Sequence, residues 1–456
     1  MQHWTNNAVF YHIYPLGFCG APQTNDFSSQ PLPALEQIFP WLDHIQSLGV
    51  NALYLGPLFE SSSHGYDTAD YYRVDRRLGT NETLTYLSNQ LHDRGMRLVL
   101  DGVFNHVGRD FWAFRDLQTN GENSPYRDWF YNLKFNQHSP YGDPFSYEGW
   151  NGHYSLVKLN LKNPQVRDHL FGAIKMWVDD FNIDGLRLDT ADCLDKDFLK
   201  ELHIFCRLLR SLRSDFWLMG EVIHGDYRTW ANPEMLDSVT SYETHKGLYS
   251  SHVDKNYFEI AYSLNRQFGE QGIYKDLRLY SFVDNHDVNR LASMLTNPAH
   301  LFPVHILLFT IPGIPSIYYG SEWGIPGKRE NESDMPLRPR IDLQEISQNP
   351  PQPSLTQLIS HLSQLRSGSP ALQIGSYRQL FVNHEQFGFI RELDGKKVVV
   401  AVNASDKNVP VQIQIPGDQT GWLVDLLSPD DRFQLQVGAA SLNLPPCWGR
   451  IMRVED

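Results

Sequence analysis

The strongest constraint on this chain is a rhythm. Short β-rich runs alternate with helix-period segments through its first two thirds. Eight runs read as strands, at residues 9–16, 51–57, 97–104, 186–190, 216–222, 238–242, 279–285 and 316–320. Helical spacing appears at 35–48 and 84–94, closed by Gly49 and Gly95, and again at 198–212, 258–268 and 303–310. A glycine just past the last periodic residue is a helix stop signal. Runs such as RLVLDGVF are almost continuously apolar, as a strand buried on both faces requires. Repeated βα units imply a parallel sheet, and eight of them imply the α/β class as a closed (β/α)₈ TIM barrel. A doubly wound open sheet would place a Gly-rich phosphate turn after its first strand, and YHIYPLGFCG is not one. Gly327-Lys328 lacks the flanking residues of a P-loop.

Two stretches break the rhythm. Residues 107–160 are rich in Asn, Gly, Pro, Tyr and Trp, with little periodicity. A connection that long is a functional insertion rather than a linker. After about residue 370, alternating runs with turn signals (LDGK, NASDKN) read as antiparallel strands. The expected organisation is a catalytic barrel over 1–106 and 161–370, closed by a helix near 355–367. An inserted subdomain B spans 107–160, and a C-terminal β-sandwich spans 371–456.

Composition narrows the function. A formal net charge of −14 argues against nucleic acid or an anionic membrane as partner, because both need a basic surface. The four cysteines form no CxxC pair, so neither a disulfide framework nor a zinc site is expected. The N-terminus shows no signal peptide, which makes the cytoplasm the default compartment. Aromatic residues reach 13%, enough to supply stacking surfaces for ring-shaped ligands.

Barrels place chemistry at the carboxyl ends of their strands. Asp189, Glu221 and Asp287 each sit at the carboxyl end of a different strand run. Carboxylates gathered in this way suit either a hard metal or glycosidic cleavage by a nucleophile and an acid. Arg187 shares a strand face with Asp189 and is expected to hold it ionised. Glu221 follows the apolar run FWLMG, whose wall would raise its pKa toward that of a proton donor.

Four segments, DGVFNH (101–106), GLRLDTAD (185–192), GEVIH (220–224) and FVDNHD (282–287), resemble the signature regions of the α-amylase family of glycoside hydrolases. HGYDTADYY (from His64) resembles the family's stretch after the second strand, and the likeness runs over essentially the whole chain. The resemblance implies that Asp189 is the nucleophile, Glu221 the acid/base and Asp287 the transition-state stabiliser. It implies sugar contacts for Tyr66, Asp67, His106, Arg187, His224, His286 and Arg290. The implied reaction is hydrolysis of α-1,4-glucosidic bonds in maltodextrins, starch fragments or cyclodextrins with retention. The alternatives are a transglycosylase or isomerase using the same carboxylates and, more remotely, a non-catalytic carbohydrate-binding protein. No organic cofactor is implied. Asn105 matches a calcium ligand of many relatives, although a backbone-capping asparagine reads equally well there.

YSLVKLN, ending at Asn160, resembles the MPKLN-type segment of neopullulanases and cyclomaltodextrinases. Those enzymes carry an N-terminal β-domain that helps them dimerise. This chain enters its first strand near residue 9, so a monomer is favoured. Asp192-Cys193 stands where those enzymes have Asn-Glu, and Ile223 where they often have Trp.

Overall fold

The computed structural model describes residues 3–210, 215–331 and 333–455. Eight strands form one all-parallel sheet: β1 Phe10–Ile13, β2 Ala52–Leu55, β3 Arg97–Gly102, β4 Gly185–Leu188, β5 Trp217–Gly220, β6 Ser238–Val239, β7 Tyr280–Phe282 and β8 Ile314–Tyr318. Their spatial order is β6-β5-β4-β3-β2-β1-β8-β7. A parallel bridge between Thr240 and Tyr280 joins the two ends and closes the barrel. Phe10, Tyr54, Val99, Trp217, Met219, Tyr280 and Phe282 fill its interior, and the larger core lies between strands and helices.

The outer helices are α1 Trp41–Ser47, α2 Asn81–Asp93, α3 Pro164–Phe181, α4 Lys196–Arg210, α5 Tyr242–Val253, α6 Phe258–Phe268, α7 Leu301–Thr310 and α8 Pro353–Ser367. Several boundaries shift for local reasons. The helix expected over 35–48 splits, because Pro40 supplies no N–H; Ala34–Ile38 is a 3₁₀ turn and α1 starts after it. β1 stops at Ile13 because Pro15 opens a helical turn. α2 starts three residues before the apolar period, where the Thr80 hydroxyl accepts from Thr83 N at 3.3 Å. The strand expected over 238–242 is cut to β6, because α5 begins at Tyr242. The helix expected over 198–212 is α4, which begins two residues earlier; residues 211–212 of that expectation lie outside the described residues.

The stretch between β3 and β4 holds a three-stranded antiparallel sheet, His106–Gly108, His153–Lys158 and Gly149–Trp150, with a helix at Trp112–Asn120. Phe114, Trp129, Phe130, Phe145 and Tyr147 are buried there. At the C-terminus lie β9 Ser376–Val382, β10 Gln386–Leu393, β11 Lys396–Asn403, β12 Val409–Gln414, β13 Gly421–Asp425, β14 Arg432–Leu435, β15 Ala439–Leu444 and β16 Trp448–Glu455. Six form an antiparallel sheet ordered β9-β10-β11-β16-β13-β14, and β12 pairs with β15. Asp394 and Gly395 both take positive φ, the two-residue turn that LDGK signals. Ile390, Val399, Ala401 and Met452 face β12 and β15, while Phe387, Phe389, Val400 and Val402 face the barrel, so strand alternation builds two cores. No helix among the described residues is long and apolar enough to cross a membrane.

Candidate active site

The site forms at the carboxyl ends of β3, β4, β5 and β7, around one guanidinium. Arg187 lies in β4 with its side chain fully enclosed, and register pairs it with Asp101 of β3. Its Nη1 donates to Asp101 Oδ1 at 2.8 Å and to Asp189 Oδ1 at 3.0 Å. Its Nη2 lies 2.7 Å from Glu221 Oε2. One cation therefore faces three carboxylates. Tyr54 OH and Tyr66 OH donate to Asp101 Oδ2 at 2.9 and 3.2 Å, completing that anion's shell.

Backbone geometry fixes where the acids stand. Asp189 follows β4 directly, its N–H bonded to Gly102 O at 3.1 Å. Glu221 follows β5, its N–H bonded to Leu188 O at 2.9 Å. Gly220 before it must be glycine: a Cβ would meet Ala191 Cβ at 2.6 Å and Leu236 Cδ1 at 2.5 Å. Asp287 lies in a turn made by Asn285, whose Oδ1 accepts from Asp287 N at 2.8 Å and Val288 N at 3.0 Å. Asn285 Nδ2 also donates to Tyr242 OH (3.1 Å), which donates to Glu221 Oε1 (3.1 Å). A hydrogen-bonded chain thus links the loops after β5 and β7.

Two histidines border the cluster. His286 Nε2 is 2.9 Å from Asp287 Oδ2 and bonds to Tyr66 OH. His106 is buried, with Nε2 3.9 Å from Asp189 Oδ2 and without a hydrogen-bond partner. Burial pushes His106 down to about 3, so its ring is neutral near neutral pH. Tyr66 is partly exposed beside His286, their rings near parallel at 14°.

The electrostatics differ from the sequence expectation. Burial, then Glu221, Asp101 and Asp287, push Asp189 well above the ordinary carboxylate range, and Arg187 only opposes this. Arg187 does not hold Asp189 ionised alone, because its charge is divided among three acids. The Glu221 oxygens meet Arg187, Tyr242 and Thr190 N. Asp287 behaves oppositely to Asp189: despite burial, His286, Arg338 and Arg187 hold it far below the usual range.

Other expected contacts fall elsewhere. Arg290 is fully buried and donates to Tyr319 O and Leu337 O, both at 3.0 Å, so it braces a loop instead of reaching the cluster. Asp67 accepts from Ser63 Oγ at 2.6 Å and orders its own loop. His224 is exposed three residues past Glu221. Asn105 places its amide 3.2 Å from His106 Nδ1. Among the described residues no three His, Cys, Asp or Glu side chains gather to hold a metal. Cys193 is exposed. Of the insert aromatics, Trp129 is buried and Trp150 faces His106, ring centres 5.5 Å apart.

Sequence reasoning overlooked Asp101, Tyr242, Asn285 and Arg338 as site residues. Arg338 Nη2 donates to Asp287 Oδ1 at 2.8 Å and lies 3.2 Å from Asp334 Oδ2. Asp101 and Asn285 sat inside quoted motifs, and only pairing geometry reveals their work.

Comparison with known proteins agrees with this architecture. Residues 12–354 match the family model for the α-amylase catalytic domain. Neopullulanase 2 of Thermoactinomyces vulgaris is 31% identical over 475 residues, 98% of this chain and 78% of that protein. A cyclomaltodextrinase of a Bacillus species is 30% identical over 423 residues, 88% of this chain and 73% of that protein. The solved debranching enzyme of Nostoc punctiforme superposes with a TM-score of 0.81 at 28% identity, covering 100% of both chains. Fold, cluster and matches together define a glycoside hydrolase on a (β/α)₈ barrel. The chain belongs to the α-amylase family.

Proposed function

We propose that this enzyme hydrolyses α-1,4-glucosidic bonds of maltodextrins, starch fragments or cyclodextrins with retention of configuration. The observation that carries the reading is the Arg187 guanidinium, which pairs with Asp189 through Nη1 and Glu221 through Nη2. One fork holding both acids favours the close spacing of roughly 5 Å that double displacement needs over the wider inverting one. In the first step Asp189 carboxylate attacks the anomeric carbon, Glu221 gives its proton to the glycosidic oxygen, and the leaving sugar departs. In the second, Glu221 takes a proton from water as the water oxygen attacks the anomeric carbon, releasing Asp189. Asp287, held ionised by His286 and Arg338, accepts hydrogen bonds from hydroxyls of the distorted ring. His106 Nε2, buried and unpartnered, has its natural partner in a sugar hydroxyl beside Asp189. Relatives named cyclomaltodextrinase and neopullulanase support the α-glucan substrate class.

A second reading, cleavage at α-1,6 branches, is favoured by the end-to-end match to a debranching enzyme. The test is incubation with maltoheptaose, β-cyclodextrin and pullulan, following the anomer released by NMR, with Asp189→Asn and Glu221→Gln as controls. Release of the α-anomer by the parent alone is expected. The β-anomer would overturn retention, panose-type products from pullulan would select among linkages, and inertness on all three would overturn the substrate class.

A further inference from the structure

A pocket of about 520 Å³ opens beside the catalytic cluster, with Tyr14, His64 and Arg338 among its walls. Arg338 also touches Asp287, so this pocket continues the cleft on the Asp287 side. Glu221, the proposed proton donor to the leaving sugar, is not among its walls. On the reading of the preceding section, the pocket takes the sugars on the non-reducing side of the scissile bond.

Its far rim is continuous across three loops. The loop after β1 packs directly on the segment after β8. A Cβ at Gly17 would collide with Arg338 O, and one at Gly20, where φ is +62°, would meet Arg340 Cδ at 2.8 Å. Further along, Gln23 Nε2 reaches Met335 Sδ at 2.9 Å. The same loop is tied to the loop after β2 by Arg77, which is buried and held by Asp75. Arg77 Nη1 donates to Pro22 O at 3.0 Å and Ser63 O at 2.7 Å. Tyr14 OH adds a bond to His64 O at 2.7 Å. An internal cut in a long glucan needs a trough open at both ends, because chain must leave the cleft beyond the cut on each side.

We infer that this cleft is blind at its non-reducing end, and that, among the substrates proposed above, the enzyme takes linear chains and not cyclodextrins, which have no end to seat, and removes short oligosaccharides from chain ends instead of cutting within chains. Gln23 and Met335 form the rim that sets the length accepted, and Arg77 is the positioning residue that holds the rim loop in place.

The test compares p-nitrophenyl maltoheptaoside with the same compound carrying an ethylidene block on its non-reducing end, and sizes all products. The parent enzyme is expected to cleave the blocked compound at least about tenfold more slowly and to yield short products of uniform length from the free one. The Gln23→Gly/Met335→Ala double variant opens an exposed rim. It is expected to bring the two rates within about threefold and to lengthen the products. Equal cleavage of blocked and free compound by the parent, with mixed product lengths, overturns the inference. So does an unchanged rate ratio in the double variant. Failure to cleave either compound would count against the proposed function itself, so the two ideas fail separately.

Discussion

Arg338 grips the loop of Asp287 at two points: its Nη2 donates to Asp287 Oδ1 at 2.8 Å and its Nε to His286 O at 2.9 Å. The guanidinium also lies 4.5 Å over the Tyr14 ring. Asp287 is thereby kept ionised and aimed by a residue 51 positions away in sequence. Arg338→Met is expected to lower kcat/KM on maltooligosaccharides by roughly 10²–10³, the scale of losing one preorganised transition-state contact. Arg338→Lys should recover only part, since a point charge cannot serve both acceptors. Arg290→Met should instead lower Tm, because Arg290 hydrogen-bonds to backbone carbonyls and lies over the Tyr318 ring, away from the carboxylates. Steady-state kinetics and thermal melts on the three variants separate these effects.

The raised Asp189 carboxyl has a kinetic consequence. A nucleophile must be ionised, so activity is lost as pH falls through its pKa. Burial and three neighbouring acids raise that value, so the acid limb of kcat/KM lies well above the ordinary aspartate range. Glu221→Gln removes one of those negative neighbours. On a substrate with an activated leaving group, which needs no proton donor, the variant's acid limb should move to lower pH. A limb that stays in place would show that Glu221 has no part in raising Asp189.

Asp101 touches no sugar in this proposal, yet it fixes the site. It takes both its oxygens to Arg187 and receives Tyr54 and Tyr66. Asp101→Asn removes one of the three carboxylates around the guanidinium and leaves Arg187 free to turn toward Asp189 and Glu221. The expected result is a loss of about 10²-fold or more in kcat with KM little changed, because the fault lies in positioning. Full activity in that variant would reduce Asp101 to a packing residue.

The barrel was legible because its strands are short apolar runs between glycine stops, and the acids were legible because they stand where those runs end. What escaped had weak local signals. α5 buries Thr244, His245, Ser250, Ser251 and His252 in place of an apolar stripe, so no helical period marks it. α3 carried good signals, Asn163 capping Gln165 N at 2.9 Å before Pro164, but they lay at the border of the insert. Arg290 and Arg338 show the other limit. Both lie near histidine-aspartate chemistry, and only long-range packing decides which one meets the carboxylate.

The buried histidines make the fold sensitive to acid. His252 is enclosed in α5, with Nδ1 2.7 Å from Leu248 O and Nε2 2.9 Å from Tyr257 OH. Burial pushes it down to about 3, with the nearby His300 acting in the same direction. Unfolded histidine titrates near 6.5. Between those values the unfolded chain binds a proton that the folded chain refuses, so stability rises with pH and is lost as pH falls from about 6.5 toward 3. His106 and His245, pushed down to about 3 and about 4, act in the same window. Each proton is worth up to about 1.4 kcal/mol per pH unit. His252→Gln is expected to be less stable at pH 7, where it loses packing and the Tyr257 bond. It should also show a shallower fall in unfolding free energy between pH 6 and pH 4.5, by roughly one proton. Denaturant titrations at three pH values measure that slope, and a slope identical to the parent's would mean that His252 takes up its proton without unfolding.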